Sequence, residues 1–380
     1  MPDLAILGPA MVEPDVLAAL VAASLGVDRV EVVDACAEVA EYDLEALTTA
    51  GRYWVRGRAR HAGGESPFAF FVKVVQSWER SPIFAMVPED MRAAALAAVP
   101  WRREPAVYGS DLRDRLPAGL TMPRAYAVQE LDGLSAAIWL EAVDVEAGIW
   151  DIDRFARAAH LLGRLAASPR VAPLGALGEV PDVPRMYYYG RFTGQVLPAL
   201  RDDACWQHPV VAAGFDDRLR DDMRAAAEGI EGRLPELDSV PVLTLHGDAC
   251  PRNLLVRRGS DDGFVLIDYG FWGRGPVGFD LTQLLIGEVQ LGERPAAELP
   301  ALEVACLSAY VDGLRAEGAD IELAVVRRAH ALMMLLFAGL SSVPFELMEG
   351  EPSAEKVRIC RERAAAARFM LDLAAETAPA

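Results

Sequence analysis

The apolar pattern of this chain changes character near Asp144, and that change limits the fold more than any other feature. Ahead of it lie runs rich in β-branched and aromatic residues, "RVEVVDACAEVAEY", "RYWVRGRAR" and "FAFFVKVVQS", broken by "DLEALTTAG" and "HAGGESP". Such runs between turn formers predict an antiparallel meander. "RAYAVQELDGLSAAIWLEAV" predicts two more strands about the turn residues Asp132 and Gly133. Two helices are expected in this part: 13–25, with Pro14 near its start and Gly26 just beyond it, and "PEDMRAAALAAV". Behind Asp144 the apolar spacing becomes helical in "DIDRFARAAHLLGRLAA", "DDRLRDDMRAAAEGIEGRL", "AAELPALEVACLSAYVDGLRAEG", "IELAVVRRAHALMMLLFAGL" and "EKVRICRERAAAARFMLDLAA". Only "VPVLTLHGD", "NLLVRR" and "FVLIDYG" interrupt them as strands. Segregated strands and helices make an α+β chain. At 380 residues it is long for one core. The expectation is a strand-rich lobe over 1–137, a junction over 138–146 and a larger helical lobe over 147–380.

Charge narrows the partners. A net charge of −19 argues against nucleic acid and against an anionic membrane surface. The opening stretch has no basic leader before its apolar part, so no signal peptide is expected. The late block "ALMMLLFAGL" is too short to span a bilayer and reads as a buried helix. The five cysteines, Cys36, Cys205, Cys250, Cys306 and Cys360, are scattered and form no C-x-x-C pair, which fits a reducing cytoplasm. Nothing in the sequence indicates an oligomeric state.

Two scarcities stand out. Of 37 basic residues only Lys73 and Lys356 are lysine, and Asn253 is the one asparagine. Lys73 lies inside the apolar run "FAFFVKVV", where an unpaired ammonium would be costly. Asn253 lies in "LTLHGDACPRNLLVRR", five residues after Asp248, and the strand "FVLIDYG" follows with Asp268. Two carboxylates and an amide oxygen from adjacent strand ends suit a hard cation such as Mg²⁺, which takes few protein ligands and completes its shell with substrate phosphates. One of the three groups is left to act on a proton.

H-G-D-x-x-x-x-N followed by a strand-borne Asp resembles the kinase superfamily, and within it the aminoglycoside phosphotransferase and choline kinase-like branch. Protein kinases carry H-R-D-x-x-x-x-N and D-F-G, whereas the small-molecule branch has H-G-D. The resemblance implies a bilobal protein kinase-like fold and transfer of a γ-phosphoryl group from ATP or GTP, with Mg²⁺. By the same resemblance Asp248 is the catalytic base, and Asn253 and Asp268 are the metal ligands. Lys73 grips nucleotide phosphates and pairs with a helix glutamate. Glu104 is the first candidate for that glutamate, although Pro105 biases it away from helical geometry; Glu89 is the alternative. The phosphate-covering segment falls on "YDLEALTTAG", where Thr48, Thr49 and backbone amides face phosphate. Glu141 to Val143 form the adenine-contacting hinge. Asp280 matches a structural aspartate of the branch, and with Gln283 three residues on it also reads as a helix N-cap. His246 is expected as a buried scaffold residue. Arg252 is open between a phosphate contact and a solvated loop position.

The acceptor is expected to be a small-molecule hydroxyl. Only "YGFWGRGPVGF" separates Asp268 from Asp280, no A-P-E follows, and Cys250 stands where many protein kinases have lysine. "MYYYGRF", "YGFWGR" and the pairs Asp202/Asp203, Asp216/Asp217 and Asp221/Asp222 are candidates for an acceptor pocket, or else core and solvated helix faces. The competing readings are a nucleotide-binding pseudokinase acting as a scaffold, and a metal hydrolase using His246, Asp248 and Asp268.

Overall fold

A computed structural model describes residues 3–41, 47–146, 148, 150–177, 182–259 and 263–379. Its strands are β1 (Glu31–Val39), β2 (Thr49–His61), β3 (Gly64–Gln76), β4 (Leu120–Thr121), β5 (Ala125–Glu130), β6 (Ser135–Glu141), β7 (Val242–Leu245), β8 (Leu254–Leu255), β9 (Phe264–Leu266) and β10 (Gly273–Pro276). The helices of the first part are α1 (Pro14–Leu25), α2 (Arg92–Ala98), α3 (Arg103–Tyr108) and α4 (Leu112–Arg115). Those that follow are α5 (Ile152–Ala167), α6 (Val183–Tyr187), α7 (Leu197–Arg201), α8 (Asp203–Gln207), α9 (Pro209–Ala212), α10 (Asp217–Gly229), α11 (Phe279–Gln290), α12 (Leu299–Ala316), α13 (Leu323–Met334) and α14 (Ala354–Glu376). Two compact units result. The first holds Met1–Arg115, Thr121–Glu146 and Val256–Gly270; the second holds Leu116–Leu120, Ala147–Leu255 and Phe271–Ala380.

The first unit is built on a five-stranded antiparallel sheet in the order β1-β2-β3-β6-β5. Side chains alternate between its faces. Phe68, Phe70 and Val72 of β3 therefore join one core with Leu17, Leu20 and Val21 of α1 and Trp139 of β6. Phe71, Lys73 and Val75 point to the other face. That parity is what lets an apolar strand carry a charge: Lys73 is buried, but outside the hydrophobic cluster under α1.

The second unit is mainly helical. Its α5 puts Phe155, Ala158, Leu162 and Leu165 on one buried face, and the Asp151 carboxylate caps its N-terminus by accepting from Arg154 N. α5 and α12 cross at two glycines: a Cβ on Gly163 would lie 2.2 Å from Tyr310 O, and one on Gly313 would lie 2.0 Å from His160 O. Only the absence of both side chains allows backbones that close. The block expected as a buried helix does bury, as the end of α13 and a π-helical turn over Leu335–Gly339. A second π-helical stretch, Tyr188–Val196, was not expected, because a five-residue hydrogen-bonding period leaves no 3.6-residue pattern to read. Among the described residues no helix is long and apolar enough to cross a membrane, and all five cysteines are free thiols.

Candidate active site

In the first unit β3 and α3 bring Lys73 and Glu104 together. The ammonium sits 2.7 Å from Glu104 Oε2 and 3.2 Å from Asp268 Oδ1, with Lys73 and Glu104 only 5% and 4% exposed. Burial alone would pull the lysine down, but the two carboxylates outweigh it and hold Lys73 above its ordinary value. Glu104 is helical despite Pro105. Pro105 lies in the first turn of α3, where its missing N–H costs no intrahelical hydrogen bond, and the steric bias on Glu104 does not prevent the helix. Glu89 lies exposed in the turn Glu89–Met91. Asp268 takes a left-handed φ of 63° just beyond β9.

The remaining expected residues of this unit fall as follows. Thr49 is not in a loop: it opens β2, paired with Val75, because strand pairing begins earlier than the turn residues suggested. Residues 42–46 of the expected phosphate-covering segment lie outside the described residues. Glu141 ends β6, its amide donating to Arg124 O at 2.8 Å and its carboxylate accepting from Arg257 at 2.7 Å. That amide is thus already used within the sheet.

In the second unit Asn253 ends a one-turn helix, Pro251–Asn253, and lies close to Asp248. Its Nδ2 donates to Asp248 O and to Asp248 Oδ2, each at 2.9 Å. The amide nitrogen is thereby committed to Asp248, and the side-chain oxygen is the end suited to a cation. His246 is fully buried, and its Nδ1 accepts from Asp248 N at 3.3 Å. Gly247 has φ 89°, and a Cβ there would meet Phe271 O at 2.1 Å. Glycine is required at this position on both counts, so the arginine of H-R-D would not fit.

Asp280 is not the N-cap of α11. Gly278, with φ 85°, occupies that position, and Asp280 lies inside the first turn. Its carboxylate instead accepts from His246 N (2.9 Å) and Gly247 N (2.8 Å), while burial pushes it up to about 6. The capping pattern was in the sequence, but the backbone it serves is another loop. Arg252 is half-exposed and pairs with Glu293. The acidic pairs are largely spent on structure. Asp202 and Asp216 cap α8 and α10, Asp203 pairs with Arg224, Asp217 and Asp221 pair with Arg220, and Asp222 pairs with Arg368. Of the aromatic runs, Tyr188, Phe192, Tyr269 and Trp272 are buried, and Tyr189 and Phe271 are exposed.

Lys73, Glu104 and Asp268 thus meet in the first unit, and Asp248 meets Asn253 in the second. The model of the phosphotransferase enzyme family matches residues 68–311, and the chain belongs to that family. The fold is mixed, with a sheet-rich N-terminal region and a mainly helical remainder. Solved structures similar to the chain include an aminoglycoside phosphotransferase from Alicyclobacillus acidocaldarius, 12% identical over 89% of this chain and 91% of that one, with a TM-score of 0.49. A macrolide 2′-phosphotransferase from Brachybacterium faecium is 20% identical over 93% and 96%, with a TM-score of 0.40. No curated relative matches.

Proposed function

We propose that the chain transfers the γ-phosphoryl group of ATP or GTP to a hydroxyl of a small molecule. The observation that carries this reading is the Asn253–Asp248 pair, in which one amide group fixes both the backbone and the carboxylate of an aspartate. Family membership supplies the general chemistry, small-molecule phosphotransfer. In this reading the acceptor oxygen attacks the γ-phosphorus, the bond to the β-phosphate oxygen breaks, and the acceptor proton passes to Asp248. Asn253 orients that carboxylate toward the hydroxyl. Lys73, held by Glu104, places a point charge on phosphate oxygens, a role for which a compact ammonium is better shaped than a planar guanidinium.

The donor set suits magnesium: a carboxylate on Asp268 that is about a third exposed and an amide oxygen on Asn253 are hard oxygen ligands. When bound, the cation would neutralise charge on the phosphates. Asp248→Asn tests the division of roles. The variant keeps the shape and one acceptor oxygen, so nucleotide affinity should stay within a few-fold of the parent while transfer falls by roughly 10² to 10⁴. Calorimetry with a non-hydrolysable nucleotide, paired with transfer rates on an acceptor found by thermal-shift screening, separates the two. Joint loss of binding and transfer would make Asp248 a metal ligand instead.

A further inference from the structure

The segment carrying Asp268 is bent in a way that needs support. Asp268 has a left-handed φ of 63°, a region a non-glycine residue keeps only where its surroundings impose it. Gly270 then curls back, so that a Cβ there would lie 3.5 Å from Asp268 Oδ1. The support comes from α3. Arg103, 4% exposed, donates from Nη1 to Gly270 O at 3.2 Å. At the far end of the helix, Tyr108 sets its ring edge-on to Tyr269 at 5.3 Å. Between them on the same helix, Glu104 reaches Lys73, which reaches Asp268. Two residues of α3, Arg103 and Tyr108, therefore contact the Asp268–Gly270 turn directly, and a third, Glu104, reaches it through Lys73.

A guanidinium is an expensive choice for such a place. Burial pushes Arg103 down to about 10, and an apolar side chain of similar length would avoid that desolvation. What an apolar residue could not do is donate to a backbone carbonyl in the turn.

We propose that Arg103 is a positioning residue: by holding the Gly270 carbonyl it fixes the turn that presents the Asp268 carboxylate, and so ties the helix bearing Glu104 to divalent-cation affinity. The inference rests on Asp268 being a metal ligand. The effect assigned to Arg103 passes through backbone geometry, by way of the Gly270 carbonyl.

The test is calorimetric titration of Mn²⁺ into the full chain saturated with a non-hydrolysable ATP analogue, alongside metal-free analogue binding and the thermal midpoint. Arg103→Met should weaken Mn²⁺ by about 10- to 100-fold, the usual range for losing a group that orients a metal ligand, and leave metal-free analogue binding within about twofold. Arg103→Lys, which retains a donor of different shape, should fall between Arg103→Met and the parent. Unchanged Mn²⁺ affinity in Arg103→Met with a lowered midpoint overturns the proposal, since the arginine would then serve stability alone. If Asp268→Ala also leaves Mn²⁺ affinity unchanged, the underlying metal assignment falls first. Should Arg103→Met not fold, Arg103→Lys carries the measurement. If neither folds, Arg103 is a folding residue and the proposal is overturned.

Discussion

Lys73 shows how one residue can be legible in a sequence while its neighbours are not. A lone lysine in an apolar strand of an arginine-rich chain invites a chemical reason, and the sheet's parity supplies one by turning it away from the hydrophobic core toward Glu104. Removing it should do more than delete a contact. Lys73→Met leaves the Glu104 carboxylate buried beside Asp268, and breaking a buried pair from one side costs about 3 to 5 kcal/mol. Glu104→Gln in the same chain should restore most of that stability, and a denaturant double-mutant cycle measures the recovery. Additive losses would mean that the two side chains act independently. Arg103 carries no such mark. It is one arginine of the pair Arg102 and Arg103; the first lies in the open beside Glu130, the second under the Asp268 turn. Nothing local distinguishes them, because the partner that selects Arg103 lies 167 positions away.

At the scale of elements, long periodic helices and alternating strands were readable, and short or irregular ones were not. α6 to α9 have four or five residues each, too short for periodicity to show and dependent on packing for their stability. Helix pairing was equally hidden, although its consequence can be measured. Gly→Ala inside a helix ordinarily stabilises by about 1 kcal/mol. In Gly163→Ala of α5 the sign should invert, with a net loss of about 1 to 3 kcal/mol by urea denaturation, because the new methyl meets Tyr310 O of α12. A stabilised variant would mean that the crossing has room. α13 carries a second test. Burial holds His330 down at about 4, below its ordinary 6.5, so the folded state favours the neutral ring. The stability this contributes is complete above pH 6.5 and is lost as pH falls through about 4. At 1.36 kcal/mol per pKa unit it amounts to roughly 3 kcal/mol. His330→Leu should therefore lose less stability than the parent between pH 7.5 and pH 4. Parallel pH profiles would show that the ring is not responsible.

For the whole molecule the dominant electrostatic fact is a net charge of −19. Many of its ion pairs are exposed, such as Arg58 with Asp34 and Arg258 with Asp144, and solvent and salt screen them. Self-repulsion should outweigh them, so raising NaCl from about 10 mM to about 150 mM, across which screening shortens from about 30 Å to about 8 Å, should raise the thermal midpoint. A falling midpoint would show that the pairs dominate. The scarcity of lysine has a practical consequence as well. An amine-reactive reagent meets two side chains in this chain, Lys356, which is bound to backbone carbonyls at the surface, and Lys73, which is enclosed between two carboxylates. Acylation of Lys73 thus requires the sheet and α3 to part, and the ratio of the two labels, read by mass spectrometry of one digest, is an internally calibrated clock for how often that part of the molecule opens.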